Sequence, residues 1–162
     1  MPPYRLQTLL EMRETAEEAA KQAFSEAMRA LTKEQTALKT LERMKVERKA
    51  KVQVFLQEMT AKGGGISGFQ QMGRFEQRLK DEEAQYMLDI ERQKEVVVQA
   101  EALVEQRRAE MAEAAKEKKA IEKNKETWAK EVKAERQKKE EANQEEIGAV
   151  LHLARTRREE KS

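Results

Sequence analysis

Two long stretches of this chain repeat apolar residues on heptad spacing, and a glycine-rich segment separates them. In the first stretch the two apolar rows are Phe24, Leu31, Leu38, Val52 and Met59, and Ala20, Ala27, Leu41 and Phe55. In the second stretch they are Ile90, Val97, Val104, Met111 and Val132, and Leu79, Tyr86, Ala100, Ala114, Ile121 and Trp128. Apolar rows of this period form the seam of a coiled coil. The pattern predicts an all-α protein whose two long helices form an antiparallel coiled-coil hairpin.

The glycines and prolines set the expected boundaries of these helices. Five of the six glycines lie within Gly63–Gly73, and both prolines, Pro2 and Pro3, precede the first apolar row. Proline suits the opening turn of a helix and glycine its end. We predict one elongated coiled-coil domain over residues 1–162: a helix over 4–62, a glycine-rich tip over 63–73, and a helix over 74–158.

Charge gives a second indication of how the helices align. Residues 39–51 carry more basic than acidic side chains, and residues 83–95 carry more acidic than basic ones. The two blocks face each other if paired positions sum to about 134. The same register pairs Phe55 with Leu79, Leu38 with Val97, Leu31 with Val104, Phe24 with Met111, and Leu6 with Trp128. Exposed ion pairs contribute little each, so the charges select an alignment more than they stabilise it.

This register leaves the residues from about 132 to 162 without a partner in the first helix. Ile147, Val150, Leu151 and Ala154 recur there at helical spacing. They form an apolar stripe that the hairpin cannot cover.

The composition narrows the classes of function. Charged residues make up 40% of the chain and aromatic residues 4%, so the helices can bury a seam but not a wide core. The net charge is only +2 because both signs are mixed, which does not favour a nucleic-acid partner. No apolar run is long enough for direct membrane insertion, no signal pattern opens the chain, and there is no cysteine. We expect a cytoplasmic protein.

The sequence offers little for catalysis. His152 is the one histidine, and GGGISG lacks the lysine and the preceding strand of a phosphate-binding loop. A two-helix hairpin also has no concave site in which paired carboxylates could acquire different pKa values. We therefore predict no enzyme, no catalytic, cofactor-binding or metal-binding residues, and no cofactor.

Apolar side chains at the tip allow two interpretations. Ile66, Phe69, Met72 and Phe75 occur close together in a chain that has few large apolar residues. They either close the end of the seam or form a docking surface. Phe69 and Met72 cannot both point inward together with Phe75, so we expect at least one of them to face outward. For Trp128, the simplest expectation is packing at the open end of the hairpin.

Three segments resemble the YscO family of injectisome type III secretion and, more distantly, its flagellar counterpart FliJ. They are the opening PPYRLQTLLEMRETAEEAA, the glycine segment GGGISGFQQMGRFEQRLK and the closing TWAKEVKAERQKKEEANQEEIGAVLHLARTRREE. The resemblance implies a non-enzymatic stalk that inserts into a hexameric type III secretion ATPase and links it to the cytosolic domain of the export gate. It also implies possible contact with secretion chaperones and a cytoplasmic location, peripheral to the inner-membrane secretion apparatus.

The resemblance also suggests which residues make these contacts. At the hairpin tip, the expected export-gate contact is Phe69, Met72, Phe75, Leu79 and Tyr86. At the open end, the expected ATPase contact is Tyr4, Leu6, Leu10, Val132, Ile147, Val150 and Leu151. Phe75, Leu79 and Tyr86 are also seam residues, so the seam and the gate compete for them. Two alternatives remain: an escort or docking protein for secretion chaperones, and a generic coiled-coil spacer.

Overall fold

Two helices make up nearly all of the protein. The structure is a computed structural model that describes residues 2–161. Helix α1 spans Gln7–Lys62 and helix α2 spans Gly65–Glu160, and the described residues contain no strand. The helices pack against each other as an antiparallel hairpin through contacts such as Arg48–Glu82. The predicted all-α hairpin is confirmed.

Helix α1 begins three residues later than expected. The amide of Gln7 donates to the carbonyl of Tyr4 at 3.1 Å, and residues 5 and 6 form a turn before the helix. From Gln7 onward α1 contains no glycine or proline, and it is rich in alanine, glutamate, lysine and leucine, which lose little on entering a helix. This composition sustains 56 helical residues without a break.

The connection between the helices is much shorter than the predicted tip of residues 63–73. Only Gly63 and Gly64 separate α1 from α2, and Gly68 and Gly73 lie within α2. Gly63 and Gly65 each have a φ of 62°, a conformation that costs other residues energy because of their Cβ. Gly63–Gly65 therefore carry the reversal of the chain, while Gly68 and Gly73 are accommodated in the helix, and α2 begins at Gly65 rather than at 74.

The described residues group into two units. The first contains residues 2–18 and 113–161, and its buried residues are Tyr4, Leu10 and Glu17. The second contains residues 19–112, and its buried residues are Ala27, Ile90, Val97 and Val104. No large side chain among the described residues is fully buried. Within each unit the helices bury a narrow seam, as the composition predicted.

The register differs from the predicted one by about one helical turn. In the first unit Arg13 contacts Glu117 at 2.6 Å, and the two residue numbers sum to 130. In the second unit the numbers also sum to 130 for Arg48–Glu82, at 3.0 Å, and for the Phe55–Phe75 ring pair. The predicted sum of about 134 is therefore wrong for these pairs, although the Glu17–Lys118 contact, whose numbers sum to 135, fits it. Phe55 packs on Phe75 rather than in the predicted pair with Leu79.

A polar contact across the seam of the second unit favours a lower sum than the predicted one. The side-chain amide of Gln93 donates to both the backbone carbonyl and the carboxylate of Glu34, at 2.9 and 2.6 Å. Apolar rows on heptad spacing can interlock in registers about half a heptad apart. Because a half-buried amide is costly to leave unpaired, a contact of this kind selects one of them.

Candidate docking surfaces

The tip surface consists of Ile66 and Phe69 in the first turns of α2. Both side chains are largely exposed, at 81% for Ile66 and 77% for Phe69. Met72 and Phe75, one and two turns further along, are half-buried. The expectation that Phe69 or Met72 faces outward is confirmed for Phe69. Two large apolar side chains in solvent beside a glycine turn form a small exposed apolar surface.

The seam takes up the other residues assigned to the gate contact. The rings of Phe75 and Phe55 lie 4.6 Å apart between centroids, tilted by 52°. Leu79 and Tyr86 are half-buried and line a small cleft between the helices, together with Val52. Phe75, Leu79 and Tyr86, which were candidates for both the seam and the gate contact, therefore lie mainly in the seam.

An aromatic cluster closes the seam of the first unit. The Tyr4 ring lies 5.0 Å from the Trp128 ring, and its hydroxyl donates to Asn124 Oδ1 at 2.5 Å. The Lys125 ammonium lies 5.9 Å from the Tyr4 ring centroid and donates to Gln7 at 2.8 Å. Trp128 thus packs within the hairpin as predicted, but its aromatic partner is Tyr4, whereas the predicted register paired Trp128 with Leu6.

This packing limits the predicted ATPase contact. Tyr4 and Leu10 are buried within the first unit, at 8% and 4% exposure, so their side chains offer little surface to a partner. Leu6 and Val132 are half-buried. Of the seven residues assigned to this contact, only Ile147, Val150 and Leu151 are well exposed.

The tail is the part of α2 after Val132, and every described residue in it is exposed. It remains helical to Glu160. Within the tail we call Ile147, Val150, Leu151 and Ala154 the tail stripe, since the spacing of α2 places them on one face. The exposure of the tail agrees with the prediction that the seam ends near residue 132.

Leu153 is an exposed apolar residue that the sequence analysis did not single out. Its exposure, 59%, is close to the 60% of Ile147 and the 65% of Leu151. Helical spacing puts Leu153 roughly 100° around the helix from the centre of the tail stripe, so this residue does not belong to that periodic face. It is a useful comparison residue because its size and exposure match those of Leu151.

The ionisable side chains in the described part of the chain lie mainly on exposed helix faces. His152 is exposed, and no group of three or more potential metal ligands occurs among residues 2–161. A hydrogen bond from Arg107 lowers the pKa of Glu110, on an exposed helix face. No helix in this range is apolar and long enough to cross a membrane.

Comparison with known proteins agrees with this architecture. A family model described as YscO-like protein matches residues 1–158. A solved structure described as a YscO homologue, CT670 from Chlamydia trachomatis, shares the fold with a TM-score of 0.78 at 24% sequence identity. The match covers 97% of this chain and 99% of that chain. A comparison with curated proteins found no match. The chain therefore belongs to the YscO-like family, a family of structural proteins of type III secretion.

Proposed function

We propose that this protein is a stalk component of a type III secretion system. In this proposal the unit that contains both chain ends inserts into the hexameric secretion ATPase, and the tip surface contacts the cytosolic domain of the export gate. Family membership supports the secretion assignment. The fold shared with CT670 supports a helical hairpin as the functional form.

The exposed tail is the observation that carries the ATPase contact. Helix α2 continues for 28 residues after Val132, to Glu160, and all of their side chains are exposed. Three large apolar side chains of the tail stripe are each at least 60% exposed. A helix that presents an apolar stripe to water is typically completed by a partner protein.

The stalk acts mechanically in this mechanism and supplies no reacting group. A two-helix insert has no rotational symmetry that matches a six-membered ring, so each ATPase subunit interface meets a different face of it. The six interfaces then differ from one another in their contacts with the insert. Such differences allow the hydrolysis steps to occur in sequence around the ring, because a ligand shifts the subunit state that it binds best.

The test is ATP hydrolysis by the purified cognate secretion ATPase with and without this protein. We expect a higher rate and more complete hexamer assembly when the protein is present. Leu151→Glu should remove most of the stimulation because it places a charge in the tail stripe. Leu153→Glu, at a similarly exposed position off the stripe, should retain it. A rate and oligomeric state that do not respond to the unmodified protein would refute the ATPase contact.

The tip surface is tested separately with the cytosolic domain of the export gate. Truncating both exposed side chains, in an Ile66→Ala/Phe69→Ala variant, should weaken binding about tenfold or more, because exposed apolar anchors dominate small interfaces. The same variant should stimulate the ATPase normally. Equal gate binding by the variant and the unmodified protein would contradict the assignment of this surface.

Exposed methionines favour a second candidate, the escort of secretion chaperones. In the second unit Met28, Met44 and Met87 are 39%, 42% and 53% exposed. Methionine side chains adapt to varied apolar partners, and promiscuous binding proteins use them widely. A pull-down that recovers chaperones but neither the ATPase nor the gate domain would favour this candidate over the stalk.

A further inference from the structure

The tail carries an acidic block before its apolar stripe and a basic block towards the end of that stripe. Residues 140–146 contain four acidic side chains and no basic one. Residues 152–158 contain three arginines and no acidic side chain. The tail stripe lies between and beside these two blocks, and all of these residues are exposed on α2. The surface is therefore acidic, apolar and basic in turn along the helix.

We propose that the tails of two copies of this protein pair antiparallel, stripe against stripe, to form a dimer. An antiparallel copy sets the acidic block of each tail against the basic block of the other. A parallel copy would set acid against acid and base against base, which is unfavourable. The charge order thus selects both a second copy as the partner and its orientation.

The apolar residues fit the same arrangement. Pairing centred near residue 149 sets Ile147 of each copy close to Leu151 of the other, and the two-fold symmetry repeats this contact. A two-fold contact uses the same patch on both chains, so assembly closes at two copies. The pairing withdraws large apolar side chains from water, which is the main driving force for association.

The ends of the stripe supply matched charges. Glu140 lies one heptad before Ile147, and Arg158 lies one heptad after Leu151, so both continue the stripe along the same side of the helix. The pairing that sets Ile147 against Leu151 therefore sets Glu140 of one copy against Arg158 of the other copy, and the contact occurs twice per dimer.

The size of the surface sets the strength of the dimer. Each copy contributes three large apolar side chains and one alanine. The area that these side chains can bury is small compared with the roughly 1,200–2,000 Å² that stable interfaces bury. We expect a dissociation constant of about 10 µM to 1 mM, rising with salt because charge pairs contribute. The dimer is thus a weak species that forms at high local concentration.

This inference goes beyond the stalk proposal and does not depend on it. The tail stripe is also the surface proposed to meet the ATPase, so the dimer and the ATPase complex exclude each other if both form. Self-association is measured on the purified chain alone. Its failure would leave the ATPase test untouched, and the failure of ATPase stimulation would leave the dimer untouched.

The test is sedimentation equilibrium of the full chain from about 5 µM to about 1 mM, at low salt and at about 0.5 M salt. The unmodified protein should shift from monomer towards dimer with concentration, less so at high salt. Leu151→Glu should raise the dissociation constant about tenfold or more, whereas Leu153→Glu should change it by less than about threefold. Circular dichroism should show the same helicity for both variants because both positions are exposed.

A charge exchange tests the orientation. Glu140→Arg alone should weaken the dimer, and the Glu140→Arg/Arg158→Glu double variant should restore it, because the exchange recreates the opposite-charge contact. A monomer at all concentrations, equal effects of the two leucine variants, assembly beyond two copies, or no restoration by the double variant would each overturn the proposed antiparallel dimer.

Discussion

Val104 and Val98 show how sharply burial varies from residue to residue in this fold. Val104 is 4% exposed and Val98, less than two turns away on the same helix, is 56% exposed. The hairpin buries one stripe of α2, so residue type alone does not tell which valine contributes to stability. A buried aliphatic side chain contributes about 1.5–3 kcal/mol relative to an exposed one. Few residues of this kind hold the second unit together.

Val104→Asp should lower the free energy of unfolding by about 3 kcal/mol, because it places an unpaired charge in the seam. Val98→Asp makes the same chemical change at an exposed position and should alter stability by less than about 0.5 kcal/mol. Thermal and urea unfolding followed by circular dichroism measure both. Equal melting of the two variants would show that Val104 does not lie in the seam in solution.

At the scale of elements, the two-residue connection and the register are the features that the helices themselves do not determine. Gly63 adopts a φ of 62°, whereas Gly73, ten residues later, lies inside α2 with nothing within 4 Å of where a Cβ would be. The same residue type thus serves a turn at one position and weakens a helix at the other.

Alanine at these two glycines should have opposite effects. Gly63→Ala should cost about 1 kcal/mol, because its left-handed backbone conformation disfavours a Cβ. Gly73→Ala should gain up to about 1 kcal/mol, since alanine is the better helix former and the site has room for it. Urea unfolding curves for both variants provide the comparison. A stabilising Gly63→Ala would mean that the turn is not built as described.

The observed register predicts which charges interact between the helices. Arg13 and Glu117 are in contact at 2.6 Å and both are partly exposed. A double-mutant cycle on this pair, with alanine at each position, should give a coupling energy of about 0.5–1 kcal/mol that shrinks in about 1 M salt. The control cycle of Arg13 with Glu113, one turn earlier on α2, should give a coupling near zero. A larger coupling for the control pair would place the helices in a different register.

At the scale of the whole molecule, the chain divides into residues that pack in the seam of the hairpin and a tail whose residues are exposed. The first unit buries Tyr4, Leu10 and Glu17, yet the same unit includes a tail in which every described residue is exposed. Stability and binding are therefore expected from different parts of α2: the seam holds the fold, and the tail stripe is available to a partner.

Deleting residues 133–162 should change the unfolding free energy by less than about 1 kcal/mol, because the described side chains in that range are all exposed. Deleting residues 2–10 should cost about 3 kcal/mol or more, because it removes two buried side chains, Tyr4 and Leu10. Chemical unfolding of the two truncated proteins measures the difference. A large loss of stability on removal of the tail would mean that it packs on the hairpin in solution.

The sequence by itself determined the fold class, the seam rows and the exposed tail. These features follow from local composition and from a heptad period that is visible along one chain. It also indicated that Phe69 or Met72 must face outward, since the end of a narrow seam cannot take both of them together with Phe75. The candidate tail stripe was visible as four residues on one helical face.

Only the tertiary structure decided the register, the length of the tip and the aromatic partner of Trp128. Heptad rows fit each other nearly as well about half a heptad away, so the apolar pattern could not distinguish the predicted sum of 134 from the observed alignment. The choice falls to individual polar contacts across the seam, such as Gln93 with Glu34 and Arg13 with Glu117. Such contacts depend on which side chains meet in space, and the periodicity of apolar residues along the sequence does not contain that information.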